Sequence, residues 1–193
     1  KRKNILSPSR LDRSVSRKKN KMDATKSFIK IYNVPVEVAE DFEFDYDVET
    51  SDLLTELVPA LDNWGNLGWM ELEEYEYNSH GSTMHLTLET KWESPVEWLQ
   101  NATRGTHYFE NKLVTMATIQ KDETSVRGVA VMDGEILQDK YLFEMSSEEV
   151  GKYYNDDESS YDLDDLDNQI WDSIGKFANV CEQFYLEKEE KND

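Results

Sequence analysis

This 193-residue chain has only three histidines and one cysteine, the residue types that most often act as bases near neutral pH, thiol nucleophiles or zinc ligands. The three histidines, His80, His85 and His107, have a spacing that matches no metal-ligand motif. His80 falls in a predicted turn and His85 on the polar face of a predicted strand, so both are expected at the surface. The single cysteine, Cys181, falls on the apolar side of a predicted helix, where a buried thiol is expected rather than a nucleophile.

Other patterns that would indicate catalysis or metal binding are missing from the sequence. The eight glycines are scattered and form none of the glycine-rich loops that hold phosphates. The acidic run 156–167 lacks the glycine and the final glutamate of an EF-hand calcium loop, so it is interpreted as a solvated linker and helix start. Among 41 acidic residues, no pair stands out for acid–base chemistry. The sequence predicts a protein that is not an enzyme, needs no metal or cofactor, and has no evident small-molecule substrate.

Four tryptophans could form a different kind of site, a platform on which nucleic-acid bases stack. They are Trp64, Trp69, Trp92 and Trp98. The part of the chain that carries them is strongly acidic, however, and would repel phosphate. Packing of these tryptophans in the core is therefore the favoured interpretation.

Charge is distributed unevenly along the chain. The protein has 21 Lys and Arg against 41 Asp and Glu, a formal net charge of −20. Residues 1–30 hold eleven basic and two acidic residues, so this stretch carries +9 and the remainder −29. The first 21 residues also lack apolar periodicity and cannot offset the entropy of ordering, which predicts a basic extended arm over residues 1–26. Its expected partner-binding residues are Lys1, Arg2, Lys3, Arg10, Arg13, Arg17, Lys18, Lys19 and Lys21.

Three interpretations of the arm stay open. Clustered Lys and Arg side chains release counterions from phosphates, so residues 1–21 could contact nucleic acid. They could also bind an acidic protein surface, either on the protein's own body or on a neighbouring subunit. The third interpretation is a tail without a binding role.

The composition limits the class of protein. With 38% apolar and 11% aromatic residues, the chain can bury a core. One cysteine excludes an intramolecular disulfide framework. No apolar run approaches the roughly 18 residues needed to cross a bilayer. We expect a soluble protein in a reducing compartment, without a membrane partner.

The strands that must position these residues are predicted from alternating apolar and polar side chains between turn residues. The clearest example places Met84, Leu86 and Leu88 on one face and His85 and Thr87 on the other. Asp133-Gly134 is a hairpin signal between the last two strands. The predicted strands are 28–34, 69–77, 84–92, 113–120, 125–131 and 136–143.

Three helices are predicted. Ser51 would cap a short helix over 51–58, after an acidic connector over 37–50. Ser94-Pro95-Val96-Glu97 has the pattern of a capping box with proline at the first helical position, and Gly105 would end that helix. A long amphipathic helix is predicted near the C-terminus, because six apolar residues recur at spacings of 4, 4, 3, 4 and 3. They are Leu166, Ile170, Ile174, Phe177, Cys181 and Phe184.

The order strand, helix, strand, strand, helix, strand predicts a ferredoxin-like α+β fold. We expect an antiparallel sheet with both core helices on one face, extended by further strands and by the C-terminal amphipathic helix. The predicted organisation is a basic extended arm over 1–26 and an α+β domain over 27–150. An acidic linker and the C-terminal helix, packing on the domain, would occupy 151–193.

Two tryptophan-containing segments carry a resemblance to a known family. The first is Asn63-Trp64-Gly65 with Trp69, and the second runs from Leu88 through Trp92 to Pro95 and Trp98. Residues 27–135 resemble the YubB-type ferredoxin-like domain of phage and plasmid proteins, which pairs a Trp-Gly-x-x-x-Trp segment with a strand ending Thr-x-Trp-x-x-Pro. The residue before the second tryptophan is Gly68, where the family usually has lysine. The resemblance implies a ferredoxin-like fold and a mobile-element origin, and carries no catalytic residue. The structural-motif residues here are Trp64, Gly65, Trp69, Trp92, Ser94, Pro95 and Trp98.

Two classes of function follow as expectations from the charge distribution and the resemblance. The first is a non-enzymatic phage structural or accessory protein, whose acidic body docks among other protein subunits of a large assembly and whose basic arm tethers it to neighbouring subunits. The second is an acidic effector that mimics nucleic acid and inhibits a host nucleic-acid-binding protein. Nucleic-acid binding through the arm is a further alternative. The expected location is the virion or the host cytoplasm.

Overall fold

The described residues form an α+β fold, an open six-stranded antiparallel sheet with three helices. This computed structural model describes residues 25–48, 70–90, 93–105, 108–119, 125–146, 148 and 163–185. The strands are β1 (Thr25–Ile31), β2 (Met70–Asn78), β3 (Thr83–Thr90), β4 (Val114–Ile119), β5 (Ser125–Met132) and β6 (Glu135–Glu144). The helices are α1 (Val36–Val48), α2 (Val96–Gly105) and α3 (Leu163–Tyr185). The strand order is β2-β3-β1-β4-β5-β6.

The alternation predicted for β3 is confirmed over the residues that the structure describes. Met84, Leu86 and Leu88 are buried, and the side chains between them face the other side of the sheet, where they are half-buried. β1 lies in the centre of the sheet, paired with β3 on one side and β4 on the other. The last two residues of the predicted strand, Lys91 and Trp92, lie outside the described residues.

The main core lies between one face of the sheet and the helices α1 and α2. Ala39 and Phe42 of α1 and Trp98 and Leu99 of α2 are buried in it with the apolar residues of β1 and β3. Trp98 contacts Phe109 edge to face, with ring centroids 5.8 Å apart. The two helices therefore cover the same face of the sheet.

Helix α3 packs on the opposite face of the sheet. Phe177 and Cys181 pack against Ala130 of β5 because the predicted apolar spacing puts them on one side of the helix. Phe184 is an exception, since 49% of its surface is exposed. Beyond Cys181 the helix contacts the sheet through Tyr185 instead, whose hydroxyl donates a 3.2 Å hydrogen bond to the Leu137 carbonyl oxygen.

The acidic connector predicted over 37–50 is wrong, because α1 occupies Val36–Val48. Ala39 and Phe42 are three residues apart, and therefore lie on the same side of the helix, facing the core. Exposed Glu37, Glu40 and Asp41 occupy the solvent side and give the stretch the composition of a linker. The apolar side is too narrow to stand out from the sequence.

The hairpin predicted at Asp133-Gly134 is confirmed. Both residues have positive φ, 51° and 77°, as a tight turn between twisted strands requires. The turn is fixed to the end of α2, because the Gly134 N–H donates a 2.9 Å hydrogen bond to Thr103 Oγ1. The Arg104 guanidinium in turn donates a 3.2 Å hydrogen bond to the Gly134 carbonyl oxygen.

Two sequence predictions differ from the structure in detail. β1 begins at Thr25, so Thr25 and Lys26 belong to the sheet and not to the arm predicted over 1–26. At the start of α2, Ser94 Oγ lies 2.7 Å from Thr118 Oγ1 of β4, and the structure shows no hydrogen bond between Ser94 and Glu97 of the predicted capping box. The short helix predicted over 51–58 lies outside the described residues. None of the described helices is long and apolar enough to cross a membrane.

Candidate functional site

The two described histidines are far from equivalent. His80 is exposed in the turn between β2 and β3. His85 is half-buried on the face of the sheet that α3 shares, with Nε2 3.2 Å from Thr83 Oγ1. Burial, and then the charge of Lys30, lower the pKa of His85. The lowered pKa favours the uncharged form of the His85 imidazole. The described residues contain no cluster that could hold a metal ion. His107 lies outside the described residues.

The Cys181 thiol is buried, as the sequence predicts. Its exposed fraction is 0%, and burial raises its pKa to about 11. A thiol with such a pKa is protonated at neutral pH and is a poor nucleophile. Cys181 therefore serves the packing of α3 on the sheet.

The tryptophan motif is only partly described. Trp98 is completely buried in the main core, so it belongs to no stacking platform. Pro95 is buried and Ser94 half-buried at the start of α2. Arm residues and other motif residues lie outside the described part of the chain. These are Lys1, Arg2, Lys3, Arg10, Arg13, Arg17, Lys18, Lys19 and Lys21 of the arm, and Trp64, Gly65, Trp69 and Trp92 of the motif.

A row of glutamates marks the face of the sheet opposite α1 and α2. Helix α3 packs over β4, β5 and β6 and reaches β1 through a contact of Trp171 with Phe28, whose ring centroids are 4.7 Å apart. Helix α3 also borders β3 near Thr87, whereas Glu71, Glu74 and Glu76 of β2, farther from that helix, are all exposed. We call this region the acidic sheet surface. Its carboxylates are those of Glu71, Glu73, Glu74, Glu76 and Glu89.

A bulge in β2 creates this arrangement. The pairing of β2 with β3 shifts register between Leu72 and Glu74, so two residues of β2 oppose one of β3 there. As a result Glu71 on one side of the bulge and Glu74 on the other project from the same face. Without the bulge, strict alternation would turn Glu74 toward the core.

The charges on the acidic sheet surface are only partly compensated. Lys26 Nζ lies 2.7 Å from Glu73 Oε2, and Lys30 Nζ lies 3.3 Å from Glu182 Oε2 of α3. Both lysines of β1 on this face are therefore engaged. Glu71, Glu74 and Glu76 have no ion pair with a described residue. Three carboxylates are left to attract a cationic partner.

An apolar cleft of about 310 Å³ borders the acidic sheet surface. It lies between α3 and strands β1, β3 and β4, and Phe28, Thr87, Trp171 and Ile174 contribute to its walls. Gly175 of α3 also lines it and would meet no atom within 4 Å if it carried a Cβ. The cleft exists because this turn of the helix lacks a side chain to fill it, and it could receive one apolar side chain of a partner.

The sequence contains one signal for this site, the glutamate-rich run of β2 next to the polar side of β3. No protein-family model matches the chain, and no curated protein or solved structure matches it. The resemblance to the YubB-type domain therefore stays a prediction from the residues.

Proposed function

We propose that this protein is a non-enzymatic binding component of a large assembly, and that its acidic sheet surface docks on a basic region of another protein subunit. The observation that carries this proposal is the row formed by Glu71, Glu74 and Glu76, which is exposed and has no ion pair within the described residues. Complementary charge steers a partner to such a surface and fixes its register.

Repulsion within the surface adds to its preference for a cation. Glu71 lies directly opposite Glu89 on the neighbouring strand, and like charges in that position destabilise a sheet. A lysine or arginine from a partner would relieve this repulsion while forming ion pairs of its own. The adjoining cleft would bury an apolar side chain and supply the desolvated contact that surface ion pairs lack.

The proposed assembly is a phage particle. In it the protein would have a structural or accessory role, and the basic arm would tether it to neighbouring subunits. The YubB-type resemblance supports the phage origin. The order β2-β3-β1-β4, with α1 after β1 and α2 after β3, supports a ferredoxin-like arrangement of the first four strands. On this proposal β5, β6 and α3 are additions to that arrangement.

Gradient sedimentation of the protein from its source, with mass spectrometry of the co-migrating proteins, tests the proposal. The wild type is compared with a variant that carries Glu71→Gln, Glu74→Gln and Glu76→Gln. The matched control carries Glu37→Gln, Glu40→Gln and Asp41→Asn, which removes three exposed carboxylates from α1 on the opposite side of the sheet. Wild type and control should travel with a large particle, and the β2 variant should be lost from it.

Two outcomes contradict the proposal. If all three proteins sediment alone, the protein is not part of an assembly. If the β2 variant and the control are retained equally, the acidic sheet surface is not the docking surface. A discrete, salt-sensitive complex with one nucleic-acid-binding protein would instead favour the effector that mimics nucleic acid, since that function uses the same row of carboxylates.

A further inference from the structure

The sign of the charge differs sharply between the acidic sheet surface and the part of the chain that precedes β1. Residues 1–24, the N-terminal segment, hold nine Lys and Arg against two Asp. The surface presents five glutamates, and both lysines of β1 on that face are already paired with carboxylates. We propose that the acidic sheet surface binds the N-terminal segment of the same chain, so that the free protein covers its own docking surface. This inference deepens the proposed function and rests on it for the role of the surface.

The point of attachment favours this occupant. The N-terminal segment joins β1 at Thr25, and the next residue, Lys26, already contacts the surface through its ion pair with Glu73. Lys26 is paired in register with Glu89, and Glu89 with Glu71. The segment therefore enters the fold beside the first row of carboxylates.

The segment is also long enough to follow the whole surface. An extended chain advances about 3.3–3.6 Å per residue, so 24 residues can span about 80 Å. The nine residues of β2 extend only about 30 Å at about 3.4 Å per residue. The segment can turn back at its junction with β1 and still place several basic side chains along Glu71, Glu74 and Glu76.

The apolar residues of the segment match the cleft. Ile5, Leu6, Leu11 and Val15 interrupt its polar and basic residues, and the cleft of about 310 Å³ beside Phe28 and Trp171 has room for such a side chain. A segment that offers both cations and isolated aliphatic groups fits a surface that offers both carboxylates and an apolar cleft.

Attachment to the same chain favours binding within one molecule over binding between molecules. Covalent attachment close to its site gives the segment an effective concentration there of the order of millimolar. A partner in solution at lower concentration has to displace the segment, which makes docking conditional on a strongly basic partner or on high local concentration. In an assembly, the displaced segment becomes available to a neighbouring subunit.

Paramagnetic broadening in the full-length protein tests this inference. A nitroxide is attached to a Ser16→Cys side chain, since the native Cys181 is buried. Amide signals of β2 around Glu74 should broaden, and those of α1 around Glu40 should not. The broadening should survive about tenfold dilution, because a tethered contact does not depend on concentration. It should vanish near 1 M salt, where the Debye length falls to about 3 Å.

The same two triple variants provide the controls. Glu71→Gln, Glu74→Gln and Glu76→Gln together should reduce the broadening of β2 by at least half, and Glu37→Gln, Glu40→Gln and Asp41→Asn should leave it unchanged. Equal broadening in both variants, no broadening of β2, or broadening only between a nitroxide-labelled chain and a separate isotope-labelled chain would each overturn the inference. If the broadening is absent but the protein still travels with a large particle, the inference fails and the proposed function stands. If the broadening is seen but the protein sediments alone, the proposed function fails and the inference stands.

Discussion

Glu71 of β2 lies directly opposite Glu89 of β3, and both side chains project from the face of the sheet that α1 and α2 do not cover. Two carboxylates in this position repel each other, because directly opposed side chains on neighbouring strands are about 5 Å apart. On its other side Glu89 lies opposite Lys26 of β1, so Glu71 is the member of the pair whose cross-strand neighbour carries the same charge. This pair is one of the features behind our proposal that the acidic sheet surface binds a cationic partner.

Replacing Glu71 with lysine should make the protein more stable while weakening its docking. The repulsion becomes an attraction, which we expect to raise the free energy of unfolding by about 0.2–1 kcal/mol. Urea unfolding measures the change. Glu135→Lys, at an exposed position paired with Met132, alters net charge equally and should bring no such gain. A gain of the same size in both variants would assign the effect to net charge instead.

Gly134→Ala should destabilise the β5–β6 hairpin and its contact with α2. Gly134 has φ of +77°, and a Cβ there would collide with the Arg104 side chain. Arg104 can move away only by giving up its hydrogen bond to the Gly134 carbonyl, so we expect a loss of about 1–2 kcal/mol from backbone strain and that bond. Gly105→Ala, where a Cβ meets no atom within 4 Å, is the control and should not be destabilising.

Trp98→Phe should be close to neutral in stability, although Trp98 is fully buried. Its Nε1–H has no hydrogen-bond partner among the described residues, and such a group costs about 1–3 kcal/mol. Removing it offsets much of the packing lost with the smaller ring. Trp98→Ala leaves a cavity and should cost about 3–5 kcal/mol in chemical denaturation. A phenylalanine variant as unstable as the alanine variant would show that the indole N–H is satisfied.

The protein should lose stability as pH falls below about 6.5 because of His85. In the folded protein, burial lowers the pKa of His85 below its ordinary value of 6.5. In the unfolded chain the pKa of His85 keeps that ordinary value. Below pH 6.5 the unfolded state therefore binds more protons than the folded state, and the free energy of unfolding decreases with decreasing pH. Urea unfolding at several pH values between 7.5 and 5.5, a range of about two units around the ordinary pKa of histidine, gives the dependence of the free energy of unfolding on pH. That dependence should be weaker in His85→Gln than in the wild type. His80→Gln, in the exposed turn, should keep the wild-type slope.

The elements that can be predicted from the sequence are those in which apolar residues repeat regularly over many neighbouring positions. β3 is recognisable because Met84, Leu86 and Leu88 alternate with polar residues, and α3 because its apolar residues recur every three or four positions. Helix α1 escapes prediction, since its contact with the core rests largely on Ala39 and Phe42 among many acidic residues. Elements with a narrow apolar side cannot be distinguished from linkers by composition.

The acidic sheet surface could not be predicted from the sequence for a different reason. It depends on the register that brings Glu71, Glu89 and Lys26 into one row across three strands, and strand pairing is not visible in a single sequence. It depends also on the bulge after Leu72, which reverses the side from which every later residue of β2 projects. The individual glutamates are plain in the sequence, and only the fold shows that they form one surface.

The irregular pairing of the two edge strands affects how other molecules can bind to the sheet. β2 and β6 are the edges of the sheet in the described residues, and the ladder of each is interrupted, once between β2 and β3 and twice between β5 and β6. Interrupted, twisted edges are poor templates for adding a strand from another molecule. Backbone pairing is thereby discouraged at both ends, even though Tyr141 on β6 is 59% exposed. Any contact that another molecule makes at these edges should therefore form through side chains rather than through backbone pairing.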